Sequence, residues 1–182
     1  MIITNPNTSG GFVVVKSLAE ARNEWSSFDH VLTIEDVGFE NGLRIPASSG
    51  TGQTVIQFDD TDTPFGKSRA PMVHEIKDLM LEARRHAKGK LLVHCLQGQS
   101  RSAALALGIL ADRLGPGRDA EAVEILLQGR PTAVCNRLMV RYIDKLLSRK
   151  GSLVDAWNAH LSKDDRAAGV MLLRGLAESQ PE

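Results

Sequence analysis

The residues best suited to chemistry are a cysteine and an arginine six positions apart, Cys95 and Arg101. Residues 91–93 are apolar and predict a buried strand, and residues 102–114 are apolar at nearly every position and predict a helix central to the core. The loop between strand and helix can curl its N–H groups towards a tetrahedral oxyanion, with Gly98 giving backbone freedom at the tightest point. The predicted anion-binding loop is Leu96, Gln97, Gly98, Gln99, Ser100 and Arg101.

This loop would also activate the cysteine. The loop amides, the helix N-terminus and Arg101 place positive potential at Cys95, and Arg101 can hold two phosphate oxygens in a bidentate fork. An ordinary thiol is mostly protonated at neutral pH, so this potential would favour the nucleophilic thiolate. We therefore expect Cys95 to attack phosphorus and form a phosphocysteine. Ser102 can donate a hydrogen bond to the sulfur when the thiolate leaves again.

The segment His94-Cys95-Leu96-Gln97-Gly98-Gln99-Ser100-Arg101-Ser102 resembles the HCxxGxSRS signature of the cysteine-based protein phosphatases. It is most similar to that of the dual-specificity and bacterial tyrosine-phosphatase-like branch, and all fixed positions are present. The resemblance implies a phosphomonoesterase that needs no metal or cofactor, and in which His94 orders the loop and helps to hold the thiolate. Residues 130–136 resemble the segment that follows the central helices in that family, with Cys135 where proline is more usual.

The resemblance also implies the substrates. These are a phosphorylated protein, with phosphotyrosine or another aryl phosphate favoured, or a small phosphomonoester, and phosphate-like oxyanions should inhibit. Gln97 and Gln99 stand where enzymes acting on highly charged inositol phosphates usually carry basic residues, so they count against such substrates without excluding them.

Phosphate transfer to Cys95 would expel an alkoxide or phenoxide, which needs a proton from a positioned acid. Asp59, Asp60 and Asp62 follow a predicted strand at residues 54–58. The resembling family carries its acid on a loop after a strand, upstream of the cysteine, and Asp60 matches that place best. Asp62 is the alternative acid, Asp59 ranks last, and all three could instead form a solvated turn that caps the strand.

The rest of the chain alternates strand and helix patterns, which is typical of an α/β fold. Ser17 and Glu20 form a capping box after a strand at residues 12–15, Asp119 can cap a later helix, and residues 35–53 show no period. A strand-helix-strand unit with a right-handed crossover would place the strand end at Phe58 beside the strand end at Val93, and so bring the aspartates and Cys95 to one rim.

We therefore expect a central, mainly parallel sheet of about four or five strands flanked by helices. It would form one phosphatase-like domain over residues 1–173, followed by a frayed tail over residues 174–182.

The amino-acid composition argues against several classes of partner and of cellular location. Lys and Arg balance Asp and Glu to a formal net charge of zero, which argues against nucleic-acid and anionic-membrane partners. No apolar stretch approaches the ~20 residues of a membrane span, and the N-terminus lacks a signal-peptide pattern, so we expect a cytosolic protein.

A structural disulfide is not expected, because the chain has two cysteines and one of them is the expected nucleophile. His30, His74, His86 and His160 have no motif around them and are interpreted as surface or structural residues.

Three other functions compete. Residues 55–63 nearly match the DxDxT motif of magnesium-dependent aspartyl-phosphate phosphatases, but Pro64 stands where the threonine is required. A sulfurtransferase commonly has a loop one residue shorter, and this chain has Ser100 where that arginine would stand. A phosphate-binding module without turnover usually lacks the cysteine, the arginine or the acid, and none is evidently lost here.

Overall fold

The structure is a computed structural model and describes residues 3–4, 11–40, 44–46, 50–64, 66–165, 169–170 and 172. Within these residues one sheet contains five strands: β1 (Ile3–Thr4), β2 (Phe12–Ser17), β3 (His30–Glu35), β4 (Gly52–Gln57) and β5 (Lys90–Cys95). Their order across the sheet is β1-β2-β5-β3-β4. β1 pairs antiparallel with β2, and the other neighbouring strands are parallel. The predicted mainly parallel α/β sheet is confirmed, whereas the predicted tail at residues 174–182 lies outside the described residues.

The helices are α1 (Leu18–Glu24), α2 (Val73–Arg85), α3 (Arg101–Leu114), α4 (Asp119–Gly129), α5 (Arg137–Leu146) and α6 (Ser152–Leu161). The capping box predicted for α1 is present: Ser17 Oγ accepts the Glu20 N–H at 3.2 Å, and Glu20 accepts the Ser17 N–H at 2.6 Å. The cap predicted for α4 is wrong. Asp119 is the first helical residue, and its carboxylate accepts a hydrogen bond from Ser152 Oγ at 2.5 Å.

The two faces of the sheet bury alternate side chains of each strand. Val13, Val15, Leu91 and Val93 face the larger core, which contains α3 and the helices that pack around it. Val14, Val31 and Leu92 face a smaller core on the other side, closed by α1 and the turn that follows it. Every residue of α3 from 101 to 111 is buried, which explains why its sequence is apolar on nearly every face. No helix in the described part of the chain is long and apolar enough to cross a membrane.

The crossover through α2 differs from the prediction in one respect. β3 pairs with both β4 and β5, so β3 separates the strand that precedes Phe58 from the strand that contains Val93. The predicted adjacency of those two strand ends is therefore wrong. Because β3, β4 and β5 are parallel, their C-terminal ends still lie along one edge of the sheet. The loops that follow β3, β4 and β5 meet at this edge, where Cys95 ends β5.

Candidate active site

The loop from Cys95 to Arg101 joins the end of β5 to the start of α3. Gly98 has a φ of +69°, a conformation that side chains of L-residues disfavour. A Cβ atom at this position would lie 2.5 Å from Ser17 N and 2.5 Å from Lys16 C, because the loop packs directly on the end of β2. The glycine is therefore required both by its backbone conformation and by its neighbours.

Four successive carbonyl oxygens of the loop accept hydrogen bonds from groups outside it. The donors are Leu18 N–H to Leu96 (3.0 Å), Arg130 Nη2 to Gln97 (3.0 Å), Arg130 Nε to Gly98 (3.0 Å) and Val134 N–H to Gln99 (2.8 Å). The C=O and N–H of a trans peptide point in opposite directions. Holding the carbonyl oxygens from outside therefore turns the loop amides towards the interior of the loop, where an anion would bind.

Arg130 follows the last residue of α4 and connects this loop to α1. Besides the two loop carbonyls it contacts the Glu20 carboxylate, at 3.1 Å from each oxygen. Burial acts to raise the pKa of Glu20, but hydrogen bonds from Ser17 and Arg130 prevail and lower it to about 2. Glu20 is thus an anion that anchors the Arg130 guanidinium against the loop. Sequence reasoning noted residues 130–136 by resemblance and did not assign Arg130 this contact.

Cys95 and Ser102 face each other at the start of α3. The Cys95 Sγ lies 3.2 Å from the Ser102 Oγ, and the two residues are 3% and 0% exposed. Ser102 therefore stands where sequence analysis expected it, within hydrogen-bond distance of the sulfur.

The Arg101 guanidinium is buried and fixed on two sides. Its Nη1 donates to the Phe58 carbonyl at 2.6 Å, and its Nη2 pairs with Asp36 Oδ1 at 2.9 Å. Its buried Nε has no hydrogen-bond partner among the described residues. A buried unsatisfied N–H is costly, and a phosphate oxygen is the acceptor that a guanidinium fork fits best. Asp36 was missed by sequence reasoning because it lies in the segment at residues 35–53 that shows no period, and no local signal marks it.

His94 is buried between β5 and β3, with its Nε2 at 2.8 Å from Thr33 Oγ1. Burial lowers the pKa of His94 to about 4, although the Cys95 backbone and the Glu35 charge act to raise it. The imidazole is therefore neutral at neutral pH. A neutral His94 places no positive charge beside Cys95, and its hydrogen bond with Thr33 joins the end of β5 to β3.

Asp59 and Asp62 are held by backbone N–H groups. Asp59 accepts the Val37 N–H at 3.0 Å on one oxygen and the Arg69 N–H at 2.7 Å on the other. Asp62 accepts the Leu138 N–H at 2.9 Å in the first turn of α5. Its other oxygen pairs with the Arg137 side chain at 2.8 Å. These contacts give Asp59 and Asp62 structural roles.

Asp60 is the aspartate that contacts the predicted anion-binding loop. Its Oδ1 accepts a hydrogen bond from Ser100 Oγ at 2.6 Å and another from Asn136 Nδ2 at 3.1 Å. The structure thus brings Asp60, Cys95 and Arg101 to one edge of the sheet. Sequence reasoning missed Asn136 as a partner of Asp60.

Comparisons with known proteins identify the fold. No protein-family model and no curated protein matches the sequence. Among solved structures, human DUSP28 matches with a TM-score of 0.58 and 17% identity, over 80% of this chain and 93% of its own. Human tyrosine phosphatase-like serine/threonine/tyrosine-interacting protein matches with a TM-score of 0.60 and 16% identity, over 76% of this chain and 91% of its own. The chain has the dual-specificity phosphatase fold.

A third match is PTPMT1 in complex with PI(5)P, with a TM-score of 0.54 and 15% identity over 78% of this chain and 94% of its own. The resemblance to the cysteine-based phosphatases, stated above from nine residues, is thereby confirmed for the fold. In this phosphatase fold the signature occupies the junction between β5 and α3, as the sequence predicted.

Proposed function

We propose that this protein is a phosphomonoester hydrolase that works through a phosphocysteine on Cys95. The observation that carries the proposal is the loop itself: four of its successive carbonyl oxygens are held from outside, and the adjacent Arg101 Nε is buried with no hydrogen-bond partner among the described residues. Such a loop is built to take a tetrahedral oxyanion directly over the Cys95 sulfur.

In the first step the Cys95 thiolate attacks phosphorus. The P–S bond forms as the P–O bond to the leaving group breaks, and the leaving oxygen takes a proton from the Asp60 carboxyl group. The loop amides and Arg101 stabilise the charge that develops on the phosphoryl oxygens.

In the second step water attacks the phosphocysteine. Asp60, now a carboxylate, accepts a proton from that water as the new P–O bond forms. The P–S bond breaks, the thiolate leaves with a hydrogen bond from Ser102 Oγ, and inorganic phosphate is released. The 3.2 Å separation of Cys95 Sγ and Ser102 Oγ supports this role.

Asp60 is preferred to the other aspartates because of its contacts. Asp59 and Asp62 each use both carboxylate oxygens to hold other segments of the chain. Asp60 is held against the loop by Ser100, and this contact supports its assignment as the acid that protonates the leaving group.

The surroundings favour a substrate with a single phosphate. A groove of about 690 Å³ borders the cavity at Cys95, and Phe39 lines both. The groove contains Arg44 and Arg69, but Arg44 pairs with Glu35 at 2.6 Å and Arg69 pairs with Glu75 at 2.8 Å. With both cations neutralised, the groove suits an aryl phosphate such as phosphotyrosine better than a polyphosphate. We place this activity in the cytosol.

The test is hydrolysis of para-nitrophenyl phosphate by the wild type and by Cys95→Ser, with a chelator present throughout. We expect turnover that resists the chelator, is inhibited by vanadate and disappears in Cys95→Ser. Cys135→Ser is the matched control, since it replaces the other cysteine of the chain and should retain turnover. Activity that persists in Cys95→Ser, or that the chelator abolishes, would refute the proposal.

A panel of substrates then defines the class. Phosphotyrosine peptides should be hydrolysed faster than PI(5)P, the ligand of the PTPMT1 structure. Tight binding of a phosphopeptide to the wild type without any release of phosphate would instead identify a binding module.

A further inference from the structure

A second cluster of side chains lies at the end of the sheet opposite Cys95. His30 begins β3, and Glu82 and His86 lie in and directly after the last turns of α2. Within the described part of the chain, this is the one group of three His, Cys, Asp or Glu residues whose ligand atoms all lie within 4.8 Å of one another. Sequence analysis found no motif around either histidine because the three residues come together through the fold.

The distances within the cluster suit a metal ion. Glu82 Oε1 lies 3.1 Å from His86 Nε2 and 3.6 Å from His30 Nε2. Zinc binds nitrogen and oxygen at about 2.0–2.2 Å in a tetrahedron, which puts two of its ligand atoms roughly 3.3–3.6 Å apart. The separations between Glu82 Oε1 and the two ring nitrogens are close to this range. The two imidazole rings are stacked, with centroids 3.9 Å apart and planes at 11°. Because the lone pair of each Nε2 lies in the plane of its own ring, the more exposed His86 ring must rotate out of the stack for both nitrogens to bind one ion.

The ligands are fixed by their surroundings. Glu82 and His86 are four residues apart on one helical face, which brings their side chains together. His30 is 6% exposed, and its Nδ1 lies so close to Gly52 that a Cβ there would be 2.5 Å away. Thr54 Oγ1 lies 2.9 Å from His30 Nε2, a hydrogen bond that a metal ion on this nitrogen would replace. The exposed Arg85 contacts Glu82 Oε2 at 2.6 Å. Glu82 Oε1 is thus the carboxylate oxygen that faces the rings.

We propose that His30, Glu82 and His86 form a binding site for a divalent transition metal such as Zn²⁺. Two imidazoles select against Mg²⁺ and Ca²⁺, which prefer oxygen ligands. The Glu82 and His86 side chains are 17% and 33% exposed, so a water molecule can complete the tetrahedron. The metal would join the start of β3 to the end of α2 and stabilise the fold. The site is independent of the proposed phosphatase reaction, which uses the other edge of the sheet.

The experiment is a calorimetric titration of untagged Cys95→Ser protein with ZnCl₂, since the Cys95 thiolate could itself bind zinc. We expect one equivalent of Zn²⁺ to bind and MgCl₂ to give no binding. At a free zinc concentration one hundred times Kd, the melting temperature should rise by roughly 5–10 °C. Co²⁺ should give the visible absorption of a tetrahedral complex.

Variants locate the site. His86→Ala and Glu82→Gln should each weaken zinc binding at least about tenfold, while His74→Ala, at an exposed position on the same helix, should not. Circular dichroism of the metal-free proteins checks that each variant is folded. In protein that retains Cys95, the His86→Ala substitution should leave the rate of para-nitrophenyl phosphate hydrolysis unchanged when a chelator is present. Absence of saturable zinc binding to Cys95→Ser, or equal affinity in Cys95→Ser and in a folded Cys95→Ser protein that also carries His86→Ala, would overturn the proposal.

Discussion

Ser100 Oγ donates a hydrogen bond to Asp60 Oδ1 at 2.6 Å, which fixes the aspartate to the last residue of the loop before Arg101. The same oxygen accepts from Asn136 at 3.1 Å. Residues 40 and 76 positions away along the chain thus hold one carboxylate. The proposed acid and the proposed anion-binding loop therefore form one connected unit.

Asp60→Asn should separate substrates by their leaving group. We expect a loss of about 10²–10⁴-fold in kcat on alkyl phosphates, because an alkoxide needs a proton to leave. The loss on para-nitrophenyl phosphate should be smaller, because that phenoxide leaves readily without one. Steady-state kinetics on both substrates measures the difference.

Asp62→Asn is the matched control. It removes the charge that meets Arg137 and weakens the contact at the start of α5, so it should lower the free energy of unfolding by about 0.5–2 kcal/mol. Its activity on both substrates should stay near that of the wild type. A greater loss of activity in Asp62→Asn than in Asp60→Asn would assign the acid to Asp62.

Gly98→Ala should abolish activity. The new Cβ would meet the backbone of Lys16 and Ser17 at 2.5 Å, so the loop must move and its amides would no longer converge. Gly117→Ala is the control: its φ of +81° imposes a similar backbone strain, but no atom lies within 4 Å of the added Cβ. Gly117→Ala should lose about 1–2 kcal/mol of stability and keep its activity.

Urea unfolding and para-nitrophenyl phosphate hydrolysis distinguish these two glycine variants. Full activity in Gly98→Ala would show that the loop does not depend on its contact with the end of β2.

Arg130→Ala should weaken the binding of phosphate and vanadate by about tenfold or more. The substitution leaves the Gln97 and Gly98 carbonyls without their donors, and it should also lower the free energy of unfolding by about 1–3 kcal/mol. Competitive inhibition by vanadate gives the affinity. Arg118→Ala removes a surface ion pair with Glu121 and should change stability by less than about 1 kcal/mol. Unchanged vanadate inhibition in Arg130→Ala would contradict the role of Arg130.

His94 should make the protein less stable in mild acid. Its pKa of about 4 in the folded protein lies below the ordinary value of 6.5, so the unfolded chain binds the proton first as the pH falls. Stability should therefore decrease between pH 6.5 and 4, by up to about 3 kcal/mol, at 1.36 kcal/mol per pKa unit. Urea unfolding of the wild type and His94→Gln across this range isolates the effect. Parallel pH profiles for the two proteins would show that His94 is not responsible.

The sequence predicted those structural elements that depend on residues close to one another in the chain. The capping box of Ser17 and Glu20 is a contact between residues three apart, and it is present. The apolar run that predicts α3 follows from burial of the helix on nearly every side. The signature around Cys95 predicted the loop between β5 and α3 because all its parts are contiguous. The proposed nucleophile, the proposed phosphate-binding arginine and the loop between them could therefore be identified from the sequence.

Contacts between distant segments were decided by the tertiary structure. The position of β3 between β4 and β5 sets which loops meet Cys95, and strand order has no local signal. That strand order brings Asp36 into an ion pair with Arg101. The packing of distant segments likewise brings Arg130 within hydrogen-bond distance of the Gly98 carbonyl. The proposed metal site arises in the same way, since His30 and Glu82 meet only because α2 returns across the sheet. Hydrophobic periodicity records whether a residue is buried, but not which residue it meets, because that depends on how the whole chain packs.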